Sequence, residues 1–451
     1  MHSRQFAADA AWTWFNDERA IFLRGGALLI GYVRRDGRIA VTHFSDGCSR
    51  ETVLSSRDVV QKDDHNNPSL TLLPDGRVLA VYSLHGKTEH YYWRISVNDD
   101  PKSDEDWGAE QARHVQARNT YSNVYALADE RDRLFNFHRC VNRNPALSLS
   151  DDQGATWDGP RLFIATGDGR LRPYLRACSN GRNRIDIIYT DEHPLHFNNS
   201  VYHLFYEEGV FRESRGGEIK GIDALPLAHD KGERGTVVYQ YSDEQWRSGD
   251  GPDDWIPGGR AWVWDLAYGA DGKPVCVFQV RRGDVAGEGW RHDRIYYYHA
   301  RWTRDGWNKT FIAQGGRPLY EGERDYGGGI ALDPGNPDVV YLSSNARHPF
   351  SLASIDDVPL SVDEKYRLYR LDLAAPEGYG EDIAGGLEGD SLRPKVVRSR
   401  QGRAVLWLQG EYRSYRDFDT RIYGTMERAG QEGVARWLIH ALGRLWRTGA
   451  P

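Results

Sequence analysis

The sequence predicts an all-β chain closed into a seven-bladed β-propeller of four-stranded antiparallel blades, and three observations carry that prediction. Strand-length runs, apolar or alternating and rich in β-branched and aromatic residues, recur at residues 27–33, 78–83, 184–189, 200–206, 274–280, 294–302, 339–342 and 404–408. Turn signals of one kind punctuate them: Asp36-Gly37, Asp75-Gly76, Asp271-Gly272, Asp305-Gly306 and Gly402. Asp-Gly between strands is the strongest short hairpin cue, because the tightest hairpin turns need backbone conformations that these residues tolerate. Almost no segment before residue 428 sustains a 3.6-residue apolar period, which excludes the strand-helix alternation of a parallel sheet.

Taken in order, the runs pair with the turns beside them. Residues 27–33 lead into the turn at 35–38, the turn at 74–77 leads into 78–83, and 270–273 leads into 274–280. Residues 294–302 lead into 304–307, and 401–403 leads into 404–408. No Pro/Gly/Ser linker divides these hairpins, so residues 1–427 read as a single catalytic propeller domain, for which seven blades of roughly 60 residues each suffice. Residues 428–451 change pattern. Val434, Trp437, Leu438, Ala441 and Leu445 recur at helical spacing, predicting a short C-terminal amphipathic helix and tail. One local motif adds detail. Ser150-Asp151-Asp152-Gln153-Gly154-Ala155-Thr156-Trp157 fits the Asp-box pattern of sialidase-like propellers, in which Asp152 caps turn amides, Gly154 takes positive φ and Trp157 packs beneath.

Composition narrows the function. The chain carries 58 Lys and Arg against 65 Asp and Glu, a net charge of −7, with no basic run, so no nucleic acid is expected as a partner. No stretch of 18 apolar residues is present, and residues 1–11 lack the layout of a secretory signal, so a cytoplasmic location and no membrane partner are expected for the chain as it stands, with secretion or a periplasmic location the alternative if a leader has been removed. Four dispersed cysteines, Cys48, Cys140, Cys178 and Cys276, form no CxxC pair and read as free thiols. Fifteen Trp and 25 Tyr suit strands, turns and a carbohydrate-facing cleft.

Candidate chemistry gathers at strand ends. His65, in Asp63-Asp64-His65-Asn66-Asn67-Pro68, precedes one strand of a hairpin and His85 follows the other, so both reach the same end with Asn66 beside them. Two neighbouring imidazoles can divide proton abstraction and charge stabilisation. The next hairpin repeats the placement with Tyr121 entering and Arg139 leaving. Further on, Arg172-Pro173-Tyr174-Leu175-Arg176 and Asp191-Glu192-His193 also sit at strand ends. His, Tyr, Arg and Asn together are the chemistry of an anionic sugar site.

These residues carry a resemblance. Asp64-His65-Asn66-Asn67-Pro68, His85-Gly86, Arg172-Pro173-Tyr174, Ser200-Val201-Tyr202-His203 and Ala300-Arg301-Trp302 are similar to the BNR-repeat seven-bladed propeller polysaccharide lyases, which include ulvan lyases and rhamnosyl-glucuronate lyases. So are Tyr326-Gly327-Gly328-Gly329, Arg393-Pro394, Leu406-Trp407 and Gly410-Glu411-Tyr412, and the resemblance spans residues 15 to 425. It implies β-elimination at a bond to C4 of a uronic acid next to rhamnose, giving a 4,5-unsaturated uronate from an anionic uronate-containing glycan. It maps the catalytic residues to His65, His85, Tyr121 and Arg139. Arg139, with His65 and Asn66, would neutralise the carboxylate, and His85 and Tyr121 would transfer protons, base and acid unassigned between them. The charged run Asp129-Glu130-Arg131-Asp132-Arg133 separates Tyr121 from Arg139, leaving Tyr125 and His138 as alternatives. Asn66, Arg172, Tyr174, Arg176 and His193 are the expected substrate contacts.

The resemblance also implies a structural metal, zinc or calcium, for which His203, Cys276 and His292 are the candidate ligands; no organic cofactor is expected. Two other functions fit an all-β chain with an Asp box. A sialidase-like glycoside hydrolase would need paired carboxylates or a Tyr nucleophile, and a non-catalytic glycan-binding propeller would need its aromatic residues but not His65.

Overall fold

A strand sandwiched between neighbouring sheets must be apolar on both faces, and the sequence supplies such strands at regular intervals. Leu28–Val33, Val78–Ser83 and Val339–Ser344 are buried along their whole length, whereas the outer strands Cys48–Val53 and Gln111–His114 are mostly exposed and polar. The structure, a computed structural model, describes residues 3–244, 256, 258–283, 289–351, 365–375 and 380–428. The helix expected over 430–446 lies outside the described residues.

Seven antiparallel sheets form the blades. In chain order their innermost strands are Ala20–Phe22, Ser69–Leu72, Thr120–Leu127, Leu175–Ser179, Arg260–Tyr268, Ile330–Leu332 and Asp390–Ser399. Each packs against the innermost strand of the next blade, and the seventh returns to the first. The apolar core lies between blades: one cluster joins Leu29 and Val41 of blade 1 to Val78 and Ala80 of blade 2, and another joins Phe135 and Leu147 of blade 3 to Ile187 and Leu204 of blade 4. Closure is made by the start of the chain, where Arg4–Ala7 pairs antiparallel with Asp417–Arg428 and completes blade 7. Closure packs the first blade against the seventh, so the ring ends on a buried blade face rather than an exposed one.

Blade 4 departs from the expected four strands. The edge of Val201–Glu207 is shared by two segments, Val210–Glu213 at one end and Thr236–Tyr239 at the other, and Glu218–Gly221 adds a further strand outside. The insertion between residues 214 and 235 is what splits the fourth position. In blade 3 the Asp-box turn is built as its residues require. Asp152 Oδ1 accepts from Ser150 Oγ (2.9 Å) and Thr156 N (2.8 Å), Gly154 has φ +87°, and Trp157 packs edge-on against Tyr91. The four cysteines are free thiols.

In an antiparallel blade the linkers between blades and the turns joining second to third strands emerge on one face, and every candidate residue quoted above for catalysis lies there or at the strand ends beneath. The channel under that face is filled by the chain's own beginning. Trp14 stacks on Trp264 (3.9 Å between rings) and donates from its indole to Val263 O, while Phe15 packs on Tyr121 and Tyr174. Below this aromatic plug, Asp17 takes three buried cations, Arg19, Arg176 and Lys395. A carboxylate so surrounded stays ionised despite burial, and removing one partner would strand the rest.

Candidate active site

Asp63 organises the cleft. It caps the short turn Asp64–Asn66 by accepting from His65 N (3.1 Å), which fixes the backbone and brings the imidazole of the same residue within reach. His65 Nδ1 donates to Asp63 Oδ1 (2.7 Å) and His85 Nδ1 donates to Asp63 Oδ2 (2.9 Å), so one carboxylate holds two rings, stacked 4.2 Å apart. His65 is buried, and its Nε2 lies 2.8 Å from the Tyr326 hydroxyl. His85 is the outer ring, 21% exposed.

The two imidazoles are driven apart electrostatically. Burial alone would pull His65 down, but the carboxylates of Asp63 and Asp64 outweigh it and push the ring up to about 9, so it is a cation at neutral pH. Burial and the neighbouring His65 cation together pull His85 down to about 4, so it is neutral. Asp64 is held in turn by Arg393 and by Tyr412, whose hydroxyl donates to Oδ2 (2.6 Å).

Tyr121 owes its direction to a bulge. The pairing of Thr120–Leu127 with Arg133–Arg139 slips between Thr120 and Asn123, and Tyr121 takes φ +67°, a conformation that L side chains rarely adopt. Its ring tilts toward His65 (5.8 Å) and stacks alongside His85 (6.4 Å), and its buried hydroxyl has no hydrogen-bond partner. Burial raises that phenol well above its ordinary 10, so it keeps its proton. Arg139 lies 4.8 Å over Tyr121 and 5.0 Å over Tyr174, and its Nη1 is likewise unpaired. Neither alternative reaches the cleft: the Tyr125 hydroxyl donates to Ala177 O, and His138 is buried between Asn119 and Ser148.

The cavity over these groups encloses about 350 Å³, within the range of small-molecule binding clefts. His65, His85, Arg139, Arg172, Tyr174 and His193 all line it. Tyr121 stands just below, in the wall beneath Arg139 and Tyr174. Two expected contacts are placed elsewhere. Asn66 is fully buried and donates to Gln61 O (3.0 Å). Arg176 lies beneath the aromatic plug, bonded to Asp17 and Trp264 O, and lines a second cavity on the opposite face. That second cavity is larger, about 570 Å³, but its charges are engaged with one another, Lys395 with Glu18 (2.5 Å) and Asp17 (3.1 Å), and most of its wall is apolar.

His203, Cys276 and His292 are not brought together. His203 is held between Asp186 (2.9 Å) and Ser214 (2.8 Å) in blade 4. Cys276 is buried opposite Ala300, whereas His292 precedes Arg294, which pairs with Arg282 at the far end of the same blade. Six strand positions, about 20 Å, separate the two ends, so these three residues form no common ligand set. Among the described residues the grouping with metal-ligand spacing is Asp63, His65 and His85, where hydrogen bonds already account for each contact.

Sequence reasoning did not single out Asp63 as the pivot, nor Glu323, Arg118, Arg143, Tyr415 and Arg416, which also line the cleft. Asp63 was legible as the first residue of the His65 motif. The others come from linkers and turns of separate blades, joined only by ring closure.

A propeller carrying a polar, arginine-rich cleft over a paired-histidine centre is the class that fold and geometry define. Residues 29–315 match the model of the BNR repeat-containing family, and the chain belongs to that family. No curated protein matches it in sequence. Among solved structures it is similar to an ulvan lyase of polysaccharide lyase family PL25 bound to -[GlcA(1-4)Rha3S]-, at 12% identity over 93% of this chain and 95% of that one, with a TM-score of 0.60. It is also similar to the polysaccharide lyase Uly1, at 11% identity over 95% and 99%, with a TM-score of 0.55. At these identities the likeness is one of fold.

Proposed function

We propose that the cleft belongs to a polysaccharide lyase that cleaves a rhamnose-glucuronate type linkage by β-elimination, acting on an anionic glycan. The observation that carries this reading is the Asp63 carboxylate holding a cationic and a neutral imidazole side by side, next to the Arg139 guanidinium, whose Nη1 has no hydrogen-bond partner, and the Tyr121 hydroxyl, which has none.

Elimination needs three functions, and each has a group in the right protonation state. The proton at C5 of a uronate is removable only if charge building up on the carboxylate is met, which Arg139 and the His65 cation do. Neutral His85, with Nδ1 turned to Asp63, offers Nε2 as the base that takes the C5 proton. The protonated Tyr121 hydroxyl supplies the proton that leaves with O4. One C5–H bond and one C4–O bond break, and a C4–C5 double bond forms. Arg172, Tyr174 and His193 hold the chain of sugars in place. The similarity of fold to the two lyases supports the reaction class.

Mass analysis of fragments from a rhamnose- and glucuronate-containing glycan tests the reading. Elimination yields fragments whose masses sum to that of the parent; fragments that together exceed it by one water would instead establish a hydrolase, and an uncut glycan a binding module.

A further inference from the structure

Five arginines line the cleft, and Glu323 is the one acid among its described lining residues. A carboxylate in such company would ordinarily pair with a guanidinium. Glu323 pairs with none: its described ion-pair contact is His193, with Nε2 3.3 Å from Oε2 and out of hydrogen-bond alignment, so that Oε2 is buried without a donor. Leu195 N donates to His193 Nδ1 (3.1 Å), which places the proton of the neutral ring on Nε2. Arg172 turns instead to Glu192 (3.1 Å).

The position is built. Glu323 sits on the linker between blades 5 and 6, which folds back on itself through the Tyr320–Glu323 bridge and a bond from Tyr326 N to Glu323 O (3.0 Å). The same short loop therefore carries Tyr326 to His65 and Glu323 to the facing wall. An undersolvated carboxyl with no donor is more stable neutral than ionised.

We propose that Glu323 is a specificity-determining residue: its carboxyl group, when protonated, hydrogen-bonds an anionic sugar in the cleft, and when ionised repels it. The inference rests on the reading that the cleft takes a uronate. The groups facing Glu323 are His193 from blade 4, His65 and Arg172 from the linkers before blades 2 and 4, Tyr415 from blade 7, and Asp325, Tyr320 and Tyr326 from its own loop. Burial, opposed by the His65 cation, pushes Glu323 up to about 7. Protonation, and with it affinity, is therefore retained below neutrality and lost above it. The nearby histidines change charge elsewhere, His65 at about 9 and His193 well below its ordinary value.

Titration calorimetry with a disaccharide carrying rhamnose on O4 of glucuronate, and with its neutral rhamnosyl-glucose analogue, on wild type and Glu323→Gln at about pH 6 and about pH 8, tests the proposal, with ultraviolet absorbance recorded on the same samples. Wild type should lose about tenfold in affinity for the anionic sugar between the two pH values, the ratio of protonated fractions across a midpoint near 7. Glu323→Gln should stay within about twofold, and neither protein should respond to pH with the neutral sugar. A variant that follows the wild-type curve overturns the proposal, whether or not absorbance develops. The expected affinities without any absorbance would leave Glu323 as proposed and remove the lyase reading. Failure of both proteins to bind at either pH overturns both.

Discussion

At the scale of single residues the cleft is a problem in dividing charge between two identical side chains. His65 and His85 share one carboxylate, yet one is buried beside a second carboxylate and the other faces the first as a like charge. The expected rate profile follows from that division: turnover should be flat between about 4, where His85 becomes protonated, and about 9, where His65 loses its charge. Asp63→Asn should lower kcat by about a hundredfold or more and move the alkaline limb toward lower pH, because His65 then lacks the charge that holds it up. The same linkage acts on stability. A histidine raised from 6.5 to about 9 on folding stabilises the fold fully below 6.5 and loses that contribution as pH rises through 9. Melting temperature across that window should therefore fall in wild type and fall less in Asp63→Asn. His85→Ala and Tyr121→Phe should each cost about a hundredfold or more in turnover with melting unchanged, as loss of a positioned proton-transfer group does. Near-normal turnover in both would remove them from the chemistry.

At the scale of elements, the loop carrying Tyr326 and the segment passing through the channel position the histidines. Asn16 donates to His65 O (2.8 Å) and accepts from Ser122 N (2.9 Å), tying the His65 turn to the Tyr121 bulge through the start of the chain. Asn16→Ala should leave two buried backbone groups unpaired and destabilise by about 1–3 kcal/mol, with a loss of kcat that thermal melting and steady-state kinetics would show together. Strands and their turns were legible in the sequence because burial on both faces and Asp-Gly chemistry are local properties. Arg176 was not. It shares a strand face with Tyr174, and period-two reasoning groups them, but two residues along a strand is about 6.6 Å. That step carries Arg176 from the cleft wall, where Tyr174 stands, to the far side of the aromatic plug. Asn66 misleads in the same way: it adjoins His65 in sequence, yet the tight turn sends its amide inward to Gln61. The metal triad failed because residues on one blade, Cys276 and His292, lie at opposite ends of its strands.

At the scale of the whole molecule, a chain of net charge −7 concentrates arginines at one mouth of the ring. A polyanion is drawn there against general repulsion, and a Debye length of about 8 Å at physiological ionic strength screens all but the cleft itself. KM should therefore rise with salt. Arg172→Ala should raise KM more than it lowers kcat, since it holds substrate alike in ground and transition states, whereas Arg139→Ala should act chiefly on kcat. Steady-state kinetics on the two variants decides this, and equal losses of kcat in both would end the distinction. Ring closure is also why the remaining cleft residues escaped the sequence: Glu323 and Arg416 belong to distant blades that meet His85 across the channel mouth. Whether these groups abstract a C5 proton and expel O4 is decided by ultraviolet absorbance during incubation with a rhamnose- and glucuronate-containing glycan. Absorbance from the conjugated 4,5-unsaturated uronate should rise with wild type and stay flat with His85→Ala. New reducing ends without that absorbance would contradict elimination.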